Sequence, residues 1–219
     1  MVINPPSSDP RFIDAVKTLE IAQKAPVAAI FTPGDWHHFH VPTWADAWPD
    51  AKVYVASERV LVKQPTLRNR KNVMVVNRED PAVPELASSC TLLPWLGSQQ
   101  PPWILGGDAS GSDRVEHLVL HTASRSLFIT DHLMNPDMSS DKVITPNTGG
   151  FSIQPGNDEA AASSAQRVLD AAPLRLIFSH GPPEHCVVGD GTEQAWDGIQ
   201  TQLRTAYAFF GIPPQKDPV

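Results

Sequence analysis

The chain is poor in the features that most quickly identify a protein. Its 219 residues include two cysteines, Cys90 and Cys186, and no CxxC pair. A disulfide framework is therefore excluded as the organising device, and two thiols of a reducing compartment are expected. Basic runs are missing too. Arg68-Asn69-Arg70-Lys71 is the densest stretch, and the formal net charge is −7. That balance repels a polyanion, so nucleic acid is not an expected partner. No apolar run approaches the ~20 residues that span a bilayer, so no membrane partner is expected either. The opening Met-Val-Ile-Asn-Pro-Pro lacks the basic and apolar regions of a secretory leader. Together these absences lead to the expectation of a cytoplasmic protein.

Proline, in contrast, is abundant. The 22 prolines include the pairs Pro5-Pro6, Pro101-Pro102, Pro182-Pro183 and Pro213-Pro214, which punctuate loops. With 41% hydrophobic residues the chain can bury a full core. No linker divides it, so residues 1–219 are expected to form a single domain.

The periodic segments alternate strand and helix. Residues 1–4 read as a short strand. Ser8-Asp9-Pro10 offers a cap and a first-turn proline for a helix to about residue 23, with Phe12, Val16, Leu19 and Ile21 as its apolar face. The continuous apolar run 27–31 predicts a strand buried on both faces. A helix over 41–48 and a strand over 52–56 complete a βαβ-sized unit. A short helix is expected in 57–67 and a strand in 72–76. Short strands follow at 90–96, 103–105, 115–121 and 126–130, with a hairpin turn at Ala123-Ser124-Arg125. Residues 136–157 read as a long Ser/Asn/Gly/Pro-rich loop. A helix over 159–172, a strand over 174–178 and a helix over 194–210 stopped by Gly211 close the chain. The class is α/β.

The metal-capable side chains collect just past strand ends. Thr32-Pro33-Gly34-Asp35-Trp36-His37-His38 follows the run 27–31. Asp131 follows Leu127-Phe128-Ile129-Thr130. His180 follows the strand 174–178 and precedes Gly181. Asp108 sits in the turn Gly106-Gly107-Asp108-Ala109-Ser110-Gly111. Each has a plain reading alone: a hydrogen-bonding histidine, or an aspartate closing a turn. A divalent metal, however, needs imidazoles and carboxylates converging from separate elements. The repeated order of strand then His or Asp points to such a site. His117 and His121 share one strand face and read as exposed. Trp44, Trp48, Trp95 and Trp103 read as core.

These four places resemble, in order, the motifs of the metallo-β-lactamase fold superfamily, most closely a diverged branch of it. Its first motif is a strand followed by Thr-His-x-His-x-Asp-His. Here Thr32 matches, and Pro33, Asp35, His37 and His38 stand at the four ligand positions. Gly107-Asp108-Ala109-Ser110-Gly111 is similar to Gly-His-Thr-x-Gly, with Asp108 in place of the His. Leu127 to Asp131 resembles the strand ending in a bridging Asp, and Ile177 to Gly181 the last strand ending in His. Trp48-Pro49-Asp50-Ala51-Lys52-Val53-Tyr54, the stretch Glu116 to His121, and Ser124-Arg125-Ser126-Leu127 are similar to segments of the diverged branch.

The resemblance implies an αβ/βα four-layer sandwich with a shortened N-terminal half. It also implies a reduced, mononuclear site: His38, Asp131 and His180 as ligands, with Asp108 as a further candidate. One divalent metal is expected, zinc first, with iron or manganese as alternatives. The implied activity is that of a hydrolase or lyase acting on a small ester, lactone or thioester through a metal-activated water, assisted by Asp35 or His37. The small-molecule substrate is the expected partner, and bound iron would point to redox chemistry. The alternative is a metal-free descendant that binds a small ligand or a protein.

Overall fold

The structure, a computed structural model, describes residues 1–99, 114–134, 144–146, 154–155, 158–180 and 186–210. Asp108, Trp103, Gly181 and most of the 136–157 segment lie outside the described residues. The chain divides into two compact units, Met1–Ser88 and Ser89–Val219.

The N-terminal unit holds a parallel sheet of β1 (Val2–Ile3), β2 (Ala29–Thr32), β3 (Lys52–Val55) and β4 (Val73–Val75), in that order. Its helices are α1 (Pro10–Gln23), α2 (Val41–Ala47), α3 (Glu58–Lys63) and α4 (Pro65–Arg68). The expected βαβ unit is β2, α2 and β3, with Ile30 paired to Val53. β2 is buried on both faces, as its continuous apolar run requires. Ile30, Val53 and Val55 join Val41, Trp44, Trp48, Val60 and Leu67 in one core. The Trp44 and Trp48 rings stack at 5.4 Å.

The expected helix over 57–67 is two helices. Pro65 lacks an N–H and crowds the preceding turn, so the helix breaks at Gln64, which ends α3 and begins α4. α1 forms where the sequence placed it, with the Asp9 side chain accepting from the Arg11 N–H. Its apolar face differs from the reading. Val16 and Ile13 pack on the core, but Phe12, Leu19 and Ile21 are 48%, 58% and 79% exposed. Helical periodicity marks an apolar stripe; it does not say that the stripe is covered.

The C-terminal unit holds a five-stranded sheet and two long helices. In chain order its elements are β5 (Cys90–Trp95), β6 (Ser98–Gln99), β7 (Glu116–His121), β8 (Ser126–Ile129), β9 (Leu133–Met134), β10 (Thr145–Pro146), β11 (Gln154–Pro155), α5 (Asp158–Ala171), β12 (Arg175–Phe178), β13 (Val187–Val188) and α6 (Ala195–Tyr207). The large sheet runs β13-β12-β8-β7-β5, with only β12 and β8 parallel. β9 pairs with β10, and β6 with β11.

Strand side chains alternate between faces, so Leu118, Leu127, Ile129, Leu176 and Phe178 share one. They pack against Ala161, Ala165, Val168 and Leu169 of α5 and Ile199, Leu203 and Tyr207 of α6. Full burial of each large aliphatic side chain contributes about 2 kcal/mol. The hairpin turn between β7 and β8 ends at Arg125, whose φ of 47° is left-handed. Neither cysteine is in a disulfide. No helix among the described residues is long and apolar enough to cross a membrane.

Candidate metal centre

In the C-terminal unit the placement of the site follows from strand register. Phe178 of β12 pairs with Ile129 of the parallel β8, and Ser179 N–H continues the ladder to the Ile129 carbonyl at 3.0 Å. His180 and Asp131 each lie two residues past that pair. Parallel strands leave their sheet at the same end, so equal offsets bring the two side chains together. His180 Nε2 is 2.9 Å from Asp131 Oδ1. Asp131 is buried, and the His180 side chain is 29% exposed. The repeated strand-then-ligand pattern in the sequence is this geometry.

The third strand of the group brings residues that the sequence did not nominate as ligands. β7 runs antiparallel to β8, with Val119 opposite Phe128. Carried to the strand end, that register sets Glu116 across from Asp131. The buried Glu116 carboxylate takes four hydrogen bonds from the turn after β8. Oε1 accepts from Thr130 N at 2.7 Å, Thr130 Oγ1 at 2.7 Å and Asp131 N at 3.0 Å, and Oε2 accepts from His132 N at 2.9 Å.

His132 Nδ1 lies 3.4 Å from Oε2, and its ring stacks on Trp95 at 4.2 Å. Burial alone would raise the Glu116 pKa. His132 beside it, with Arg114, outweighs that and holds the carboxyl at about 2. Arg114, just before β7, is buried and forms an ion pair with Asp131 Oδ2. Its own N–H donates to the Ser98 carbonyl at 2.8 Å. His117, read as exposed, is instead only 1% exposed. Pairing of β7 with both β5 and β8 places it in the middle of the sheet.

The N-terminal unit orders the other candidates. Thr32, the last residue of β2, donates its hydroxyl to the His37 carbonyl at 2.6 Å, which closes the turn 33–38. Asp35 is 1% exposed; it accepts from Ser57 Oγ and pairs with Arg59 Nη1 at 3.3 Å. His37 is half-buried. His38 is buried, stacks on Phe39 at 4.5 Å, and has Nδ1 3.0 Å from Gln64 Nε2. Gln64 is the residue between α3 and α4.

His38 Nε2 is buried with no hydrogen-bond partner among the described residues. An orphaned imidazole nitrogen fits a metal ligand, given one adjustment. If the Gln64 amide donates to Nδ1, Nε2 carries the proton. If the amide is reversed, its oxygen accepts from Nδ1–H and the Nε2 lone pair is available. Burial first, then the positive charges of Lys63 and His37, lower the His38 pKa to about 4.

This shift has a testable consequence. The unfolded chain protonates His38 near its ordinary 6.5, before the folded chain does. The stability it contributes is therefore present above about pH 6.5 and lost as pH falls toward 4, by about 2 kcal/mol. Urea midpoints at pH 7 and 4.5 should separate for the wild type and converge in His38→Asn. An equal separation in both proteins would remove His38 as the cause.

Asp131 and His180 also fit a metal. Their donor atoms, 2.9 Å apart, are close enough for both to bind one ion.

No family model matches the chain, and no curated protein matches it. Solved structures do align with it. The apo state of the chemotaxis sensor ODP from T. denticola is 15% identical, with a TM-score of 0.47 over 90% of this chain and 79% of that one. A metallo-β-lactamase from Pontibacter korlensis is 12% identical, with a TM-score of 0.46 over 87% and 75%. The DIM-1 metallo-β-lactamase exposed to ceftazidime is 12% identical, with a TM-score of 0.48 over 88% and 74%. A structure of the peroxy diiron species of chemotaxis sensor ODP is 15% identical, with a TM-score of 0.47 over 90% of this chain and 80% of that one. These superpositions are loose, and no activity passes through them to this chain.

Proposed function

We propose that this protein is a metal-dependent hydrolase or lyase acting on a small ester, lactone or thioester. Asp131 and His180 would hold one divalent ion, zinc before iron or manganese. The observation that carries this reading is the Asp131–His180 pair: a buried carboxylate and a partly exposed imidazole, 2.9 Å apart at the ends of adjacent parallel strands. His38 stays a candidate third donor from the sequence pattern alone. Asp108 stays a candidate from the sequence alone.

A divalent ion held by these residues would supply a coordinated water with its pKa lowered toward neutrality. The residues do the rest. Glu116 fixes the turn that aims Asp131, and His180 presents the open side to substrate. Asp35 and His37 stay the candidates for the general base from the sequence alone.

A second reading has its own support. His180 donating to one oxygen of Asp131, with Arg114 on the other, satisfies this carboxylate without any ion. A metal-free ligand- or partner-binding protein would look the same there. Elemental analysis of protein purified without chelator separates the two. About one ion per chain is expected, falling to background in His180→Ala with the fold retained. Less than about 0.2 ion per chain, with no uptake on soaking, would establish the metal-free reading.

A further inference from the structure

If Asp131 and His180 hold a metal, the second carboxylate oxygen of Asp131 needs an account. A carboxylate can bind one cation on each oxygen. His180 lies on the Oδ1 side, and Arg114 lies on Oδ2. We infer that Arg114 is a built-in second cation at Asp131, which limits this carboxylate to one exchangeable ion and weakens its hold on that ion.

Three observations support this. The Arg114 side chain is 3% exposed and its backbone is tied to Ser98, so the guanidinium is not a surface charge free to swing away. Guanidinium does not lose its proton in proteins, so the cation is permanent. Arg114 also offsets one of the two buried carboxylate charges, Asp131 and Glu116, so less negative charge is left for cations to neutralise. A cation on one oxygen also draws charge from the other and repels a metal placed there.

The test uses the full chain freed of metal, titrated with Zn²⁺ and separately with Mn²⁺, and read by equilibrium dialysis with elemental analysis. Wild type should saturate at one ion. Arg114→Met should bind its ion about tenfold more tightly or better, equivalent to ~1.4 kcal/mol. Arg114→Lys, which keeps the charge, should stay near wild type. Arg114→Gln is the neutral substitute if the Met variant does not fold.

Equal or weaker affinity in a folded neutral variant would overturn the role of Arg114. So would a second tight ion in wild type that disappears with Asp131→Ala, and this outcome leaves the metal reading standing. No uptake by any folded form overturns the metal reading itself, and the inference with it.

Discussion

Glu116→Ala is expected to cost the C-terminal unit about 3–5 kcal/mol, a large share of the stability of an ordinary domain. The carboxylate accepts from three consecutive backbone N–H groups and one hydroxyl, and all of these donors are buried. Alanine removes the acceptors and leaves the donors with no access to water, at about 1–3 kcal/mol for each buried group so stranded. It also strips His132 and Arg114 of a compensating charge.

Glu116→Gln keeps one acceptor oxygen and should lose roughly half as much. Protonation mimics the substitution. The carboxyl is held at about 2 in the fold, against 4.5 ordinarily. Its contribution is therefore full above about pH 4.5 and is lost as pH falls toward 2. Urea unfolding at pH 7 and pH 3 reads both effects. A Glu116→Ala protein that melts within about 2 °C of wild type would show that the turn after β8 does not depend on this carboxylate.

The second large effect separates two ligands that the metal reading treats alike. Asp131→Ala should abolish metal uptake and also cost about 3–5 kcal/mol in the metal-free protein, because it leaves Arg114 buried without its partner. His180→Ala should abolish uptake equally, yet change metal-free stability by less than about 1 kcal/mol, since that side chain is 29% exposed. Thermal melts of both variants in chelator, beside elemental analysis, make the comparison. If the two lose the same stability, Arg114 is not relying on Asp131.

Much of the fold could be read in the residues. The βαβ unit of the N-terminal half, the hairpin at Arg125, α5, β12 and α6 all came from local periodicity and turn chemistry. Asp131 and His180 were legible because both follow strands whose apolar runs mark them plainly. Arg114 and Glu116 were not legible as site residues. Their importance depends on which strand lies beside β8 and in what register, and neither property is local. Glu116 entered the sequence reading only through family likeness. Gln64 gave no signal at all, because its contact with His38 is not local in sequence. The exposed stripe of α1 failed for the opposite reason: its pattern was clear, and the pattern alone says nothing about what covers it.

The paired strands β8 and β12 also act as a ruler. Asp131 and His180 meet because each chain runs the same count past one rung, Ile129 with Phe178. Inserting or deleting one residue in either stretch would displace one partner by about 3.3 Å along the strand and turn its side chain to the opposite face. Sequence drift that keeps both counts can alter nearly everything else in β8 and β12 and leave the pair in register. The lengths of these two short tails, more than the identity of the strand residues, are what a functioning descendant of this chain must preserve.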